Sequence, residues 1–101
     1  MTIYEDGLSA NNANYTPLTP VDFLERAAGT WPNKTAIIHG QTRRSYREFL
    51  ERSRRMASAL NKRNIGKGDV VSIIAPNTPA MLEAHYGVIM SGGVLNALNY
   101  R

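Results

Sequence analysis

The sequence contains no cysteine. That excludes a disulfide framework and a thiolate metal site, and it agrees with a cytosolic protein. Histidine is scarce: there are two, His39 and His85, far apart in the chain and in no H-E-x-x-H arrangement, so a zinc-protease helix is excluded. No stretch approaches the ~20 consecutive apolar residues needed to span a bilayer. The opening MTIYEDGLSANNANY has no basic patch followed by an apolar run. It reads as neither a secretory signal nor an Arg-rich transit peptide. With nothing pointing to export, the Asn-x-Ser/Thr matches at Asn14 and Asn33 read as chance.

What is present is ordinary for a globular protein: 43% hydrophobic and 20% charged residues, enough apolar content to exclude wholesale disorder. At 101 residues the chain fits one small domain or a piece of a larger one, and it is marginal in size for a self-sufficient core. The net charge of +4 is unevenly spread. Residues 43–63 hold eight basic and two acidic side chains, a net of +6, and the remainder is net −2. Such a block raises a nucleic-acid or acidic-membrane partner as one reading.

Residues 1–18 are polar, Asn-rich and aperiodic, and are expected to form an arm or loop that packs on a neighbour. A helix follows: Thr19 caps it, Pro20 takes its first position, Asp22 completes a capping box, and Gly29 stops it. Phe23, Leu24, Ala27 and Ala28 form its apolar face. Residues 34–40 and 41–46 read as two strands turning at Gly40-Gln41. The clearest helix begins at the S-x-x-E box of Ser45 and Glu48. Tyr46, Phe49, Leu50, Ser53, Met56, Ala57 and Leu60 line its apolar stripe. Arg47, Glu51, Arg54, Arg55 and Lys62 lie opposite. Glu48–Arg52 and Glu51–Arg55 have the favourable i, i+4 order, worth ~0.2–0.5 kcal/mol each. The basic block therefore reads as a solvated helix face, and its arginines do not interleave with aromatics as a nucleic-acid stacking platform would.

Beyond the turn NIGKGD, residues 70–76 form a continuous apolar run, the pattern of a strand covered on both faces of a parallel sheet. A third helix opens at Thr78-Pro79 and ends at Gly92-Gly93. Its apolar residues, Met81, Leu82, Tyr86, Val88, Ile89 and Met90, wrap most of its circumference, so burial is expected. Residues 94–98 are another strand. The order of the later elements is a βαβαβ-like alternation, hence an α/β fold with a parallel sheet. Val94 to Leu98 then reads as an interior strand whose outer neighbour and covering helix belong to a longer chain.

No residue set makes a convincing active site. His39 and His85 read as structural. Gly66-Lys67-Gly68-Asp69 lacks the G-x-x-x-x-G-K-[ST] pattern and reads as a turn opening a strand. Ser91-Gly92-Gly93 reads as a helix stop, and Asn77-Thr78-Pro79 as a cap. Tyr46, Phe49 and Tyr86 are most simply core.

The order of segments resembles the N-terminal part of the acyl-CoA synthetases, within the adenylate-forming (AMP-binding) superfamily. LTPVDFLERAAGTWPNKTAIIHG is similar to that family's opening helix and first strand. RSYREFLERSRRMASAL is similar to its [TS]-Y-x-E-L motif, carried by Ser45, Tyr46 and Glu48, with Phe49 in place of Leu. IGKGDVVSIIAPNTPAMLEAHYGVIMSGGVLNALNYR resembles its G-x-x-x-G-D-x-V-[AS] turn and strand, its P-N-[ST]-P helix and its A-G-A-V-x-x-x-L-N run, with Gly93 where Ala is frequent. The resemblance covers about residues 16–101. It implies a partial parallel-sheet subdomain of the adenylate-forming N-terminal domain: an arm over residues 1–18 and an incomplete α/β portion over residues 19–101.

The reaction implied by the resemblance is two-step. ATP activates a carboxylic acid as an acyl-adenylate, with Mg²⁺ offsetting phosphate charge, and coenzyme A then takes the acyl group. The wording is closest to ligases for short, medium-chain or aromatic acids. A luciferase-like enzyme or a peptide-synthetase adenylation domain is the alternative within the superfamily. The family's phosphate loop, Tyr/Thr-Glu region, ribose-binding Asp and C-terminal Lys are not in this sequence. No catalytic, cofactor-binding or metal-ligating residue is therefore assigned, no ligand is expected on this stretch alone, and the isolated stretch is expected to be inactive and prone to self-association. The expected compartment is the cytoplasm, with a peroxisomal signal at a more distant C-terminus left open.

Overall fold

The computed structural model describes residues 2–101. Among them are three helices and four strands: α1 (Pro20–Thr30), β1 (Thr35–His39), β2 (Thr42–Ser45), α2 (Tyr46–Lys62), β3 (Val70–Ile74), α3 (Pro79–Met90) and β4 (Val94–Leu98). Ahead of α1, residues 2–18 are exposed. Their order is local: the Asn11 side chain accepts from the Ala13 N–H at 2.8 Å, an Asx turn of the kind Asn favours.

Each helix starts where its sequence says it should. Thr19 caps α1 through a reciprocal box with Asp22, satisfying N–H groups that the first turn leaves without partners. The helix continues past Gly29 to Thr30, and the Trp31 N–H closes it on the Ala27 carbonyl. Ser45 caps α2 by accepting from the Glu48 N–H at 3.2 Å. Here the box is only half made: the Glu48 carboxylate accepts from the Ser45 hydroxyl but not from the Ser45 N–H. Thr78 occupies the cap position of α3 without a side-chain hydrogen bond. The α3 stop is as expected: Gly92 has φ +92°, and the Gly93 N–H returns to the Val88 carbonyl at 3.2 Å. Only glycine adopts that conformation without strain.

The strands form two separate sheets. β1 and β2 make an antiparallel hairpin. β3 and β4 pair in parallel, Val70 beside Val94 through Ile74 beside Leu98. The β3–α3–β4 unit is thus the one parallel crossover among the described residues. The alternation of elements expected from the sequence is present, with β2 paired to β1 as the hairpin and not to β3.

The core holds Leu24 and Ala28 of α1, Ile37 of β1, and Phe49 and Leu50 of α2. Tyr86 of α3 meets Phe49 edge-on, ring centres 5.1 Å apart, a geometry that aromatic quadrupoles favour. Ser53 is fully buried and donates to the Phe49 carbonyl at 2.9 Å, so it fills the stripe without an orphaned hydroxyl. Three expectations of burial fail. Phe23 is 53% exposed, because the inward stripe of α1 runs through Leu24 and Ala28. Leu82 and Ile89 face outward from α3. β3 is covered on one side only: Val70 and Ile74 are each 64% exposed, while Val71 and Ile73 are half-buried.

Candidate functional site

The charged groups of α2 do not pair as helical spacing predicts. Arg52 leaves Glu48 and donates from Nε to Glu83 Oε1 of α3, at 2.6 Å. Glu83 is 3% exposed, a buried carboxylate held between two helices. Its hydrogen bond, and then its charge, raise the pKa of the Arg52 guanidinium. Arg54 turns to Glu25 of α1 at 4.0 Å, a solvent-exposed pair that contributes little. Glu51–Arg55 is not among the ion pairs formed by the described residues. Part of the basic block is thus used to join helices.

The two helices can approach because Gly87 faces Met56. A β-carbon on Gly87 would lie 2.8 Å from Met56 Cβ. At the far end, with its amide oriented to satisfy its neighbours, the Asn61 Nδ2 donates to the carbonyls of Ser91 at 3.1 Å and Ile65 at 2.9 Å. The sequence carries Gly87 and Glu83 plainly, but no pattern within either helix says that they meet α2.

His39 and His85 come together in space. They line one cavity of about 340 Å³ with Ile37, Thr78, Met81 and Leu82. His85 Nδ1 lies 2.8 Å from the Met81 carbonyl, which can only accept, so the Nδ1–H donates in that bond. The lining mixes apolar side chains with the polar groups of His39, Asn77, Thr78 and His85. It includes no serine, cysteine or carboxylate; the one hydroxyl is that of Thr78, and it is not hydrogen-bonded to either imidazole.

Gly66-Lys67-Gly68-Asp69 is a turn, as its composition indicates. The Asp69 carboxylate accepts from the Gly66 N–H at 2.9 Å, and the Asp69 carbonyl accepts from the Val94 N–H at 2.7 Å, at the start of the parallel pair. These bonds tie the turn to the start of the parallel pair. Among the described residues no three His, Cys, Asp or Glu side chains are grouped as metal ligands. No helix among the described residues is long and apolar enough to cross a membrane.

The remaining feature is a surface. Val70 and Ile74 of β3 and Val94 and Leu98 of β4 are all exposed and share one face of the parallel sheet, since side chains alternate along a strand. Between them the Asn96 amide donates to the Ser72 hydroxyl at 3.2 Å.

Residues 24–101 match the family model described as AMP-binding enzyme. The acetate/butyrate–CoA ligase AAE7, peroxisomal, of Arabidopsis thaliana is 53% identical over 96 residues, covering 95% of this chain and 17% of that protein. The benzoate–CoA ligase, peroxisomal, of the same plant is 49% identical over 96 residues, again 95% and 17%. Among solved structures, the N-terminal subdomain of Klebsiella oxytoca NpsA superposes with a TM-score of 0.76 at 24% identity, covering 81% of this chain and 22% of that one, which is a likeness of fold. The chain thus spans about a sixth of the length of the curated relatives it matches.

Proposed function

This chain belongs to the AMP-binding enzyme family, and on that footing we propose that it is the supporting N-terminal part of an AMP-forming acid–thiol ligase. The observation that carries the proposal is 53% identity over 96 residues, 95% of this chain, with a relative named as an acetate/butyrate–CoA ligase. In the proposed reaction a carboxylate oxygen attacks the α-phosphorus of ATP, releasing pyrophosphate and forming an acyl-adenylate. The thiol of coenzyme A then attacks the acyl carbon and AMP leaves. A carboxylate is a poor electrophile, and adenylation supplies the leaving group that it lacks. Electrostatic stabilisation of the phosphoryl oxygens would dominate such catalysis.

The residues of this stretch act by holding shape. The Arg52–Glu83 pair and the Gly87–Met56 approach fix α2 against α3, and α3 in turn supports one face of the β3–β4 sheet. The acid class follows the relatives, short aliphatic or aromatic. Two of those relatives are named as peroxisomal, so the peroxisome stands beside the cytoplasm as the proposed compartment.

The test is the full-length ligase carrying these residues, incubated with ATP, Mg²⁺, coenzyme A and a panel of acetate, butyrate and benzoate. AMP and acyl-CoA should appear in equal amounts with at least one acid. Release of ADP instead, or no thioester with any acid, would overturn the reading. Residues 1–101 alone should form no thioester under the same conditions.

A further inference from the structure

We propose that the cavity between the β1–β2 hairpin and the first turn of α3 binds a small apolar monocarboxylate, an aliphatic or aromatic acid held independently of the acid that is activated. The inference goes beyond the ligase reading, in which these residues only hold shape. Four observations carry it.

The charge of the lining selects the ligand. The polar side chains of the cavity are His39, Asn77, Thr78 and His85, with no carboxylate, lysine or arginine beside them. A metal ion or an amine would find no opposite charge there, and a doubly charged phosphate would find none either. A single carboxylate needs only hydrogen-bond donors. The Thr78 hydroxyl, the Asn77 amide and a protonated imidazole all supply them.

Two of these groups are ready for a ligand. Thr78 stands at the cap position of α3, yet its side chain makes no cap hydrogen bond, so the hydroxyl is not spent on the helix as a capping threonine usually is. The His85 ring is held by its Nδ1–H on the Met81 carbonyl, at 2.8 Å, and loses little freedom when a ligand arrives.

The rest of the lining is apolar. Ile37 and Met81 are buried, whereas Ile38 and Leu82 are 63% and 40% exposed. A hydrocarbon or ring laid on Ile38 and Leu82 takes their surface out of water. The free volume of about 340 Å³ is that of a small-molecule pocket, a class that starts near ~300 Å³. A helix, about 10 Å across, is too wide for it.

The place in the fold agrees. Asn77, Thr78 and Pro79 follow the carboxyl end of β3, which pairs in parallel with β4. Ligands of α/β sheets bind outside the carboxyl ends of such strands.

The full-length ligase tests this with benzoate as the probe, while a non-reactive acyl-adenylate mimic occupies the site of activation. A diazirine-bearing benzoate, photolysed on that complex, should label the peptide that holds residues 77–85, and excess benzoate should suppress the labelling. Benzyl alcohol, which keeps the ring without the charge, should not suppress it, and neither should inorganic phosphate. Thr78→Val and His85→Gln, each confirmed to melt as the parent does, should each raise the benzoate concentration for half-suppression about tenfold, the loss expected for one hydrogen bond to a charged group. No labelling of residues 77–85 overturns the proposal. So does labelling that the mimic abolishes, suppression by benzyl alcohol equal to that by benzoate, or parent-like suppression in both variants. The readout is independent of turnover: the expected labelling in a protein that makes no thioester supports the cavity site and removes the ligase reading, whereas thioester formation without the labelling removes the cavity site alone.

Discussion

Arg52 and Glu83 are 31 residues apart in sequence and 2.6 Å apart in space. The pair joins α2 to α3 at a carboxylate almost entirely withdrawn from water. Breaking a buried pair by removing one partner costs about 3–5 kcal/mol. The Arg52 side chain is 42% exposed, so solvent reaches the pair and the expected loss for Arg52→Ala is nearer ~2 kcal/mol. Glu83→Gln keeps an acceptor for the guanidinium and should lose about 1 kcal/mol. Chemical denaturation of the single and double variants measures both losses, and a double-mutant cycle isolates the coupling.

The same pair sets a pH expectation. Glu83 raises the pKa of Arg52, first by hydrogen bonding and then by charge. A group whose folded-state pKa is raised stabilises fully below its unfolded value, and that contribution fades only as pH rises through the folded value. For Arg52 both lie in strong alkali. The stability difference between the parent and Arg52→Met should therefore not change through titration of Arg52 anywhere in the neutral range. Denaturation at several near-neutral pH values checks this.

Gly87→Ala should destabilise the helix pair although alanine is the better helix former. The added methyl would meet Met56 Cβ and the Met56 sulfur, each at 2.8 Å. Overpacking of this kind costs about 1–3 kcal/mol, against a propensity gain of about 1 kcal/mol. Thermal melting should show a lower Tm for Gly87→Ala. An equivalent change at Gly29, where an added β-carbon meets nothing within 4 Å, should not lower it.

Thr19→Ala removes the hydroxyl half of the α1 capping box and should cost about 1 kcal/mol. Thr78→Ala should cost less, because the Thr78 side chain makes no cap hydrogen bond. A denaturation series that ranks the two losses in the opposite order would contradict the capping geometry.

Local features were legible in the sequence because local chemistry decides them. Thr19 with Asp22, Ser45 with its N3 residue, Gly40 in the hairpin turn and Gly92 past α3 each need only neighbours within a few residues. The parallel pairing of β3 with β4 was legible too, since an apolar strand, a helix and another apolar strand leave few other arrangements. The rest depended on how elements meet. Helical spacing pairs Arg52 with Glu48 for a few tenths of a kcal/mol; the fold offers Glu83 in a drier place, where charge attraction is stronger. Phe23 sits beside Leu24 in sequence, and only the packing of α1 says which of them turns inward. His39 and His85 share a cavity because the hairpin lies near the start of α3, which no spacing between them encodes. The one-sided cover of β3 belongs to the same class: the apolar run announces two buried faces, and α3 supplies one.

The proposal that this stretch is the supporting part of a ligase implies that it does not select the acid. A chimera tests it most directly: the matching N-terminal stretch of the acetate/butyrate–CoA ligase is replaced by this chain, and acyl-CoA formation is measured across acetate, butyrate and benzoate. The account predicts a folded chimera that keeps the host's order of preference among the three acids. A folded chimera that makes no acyl-CoA, or that takes on a new preference, would contradict it.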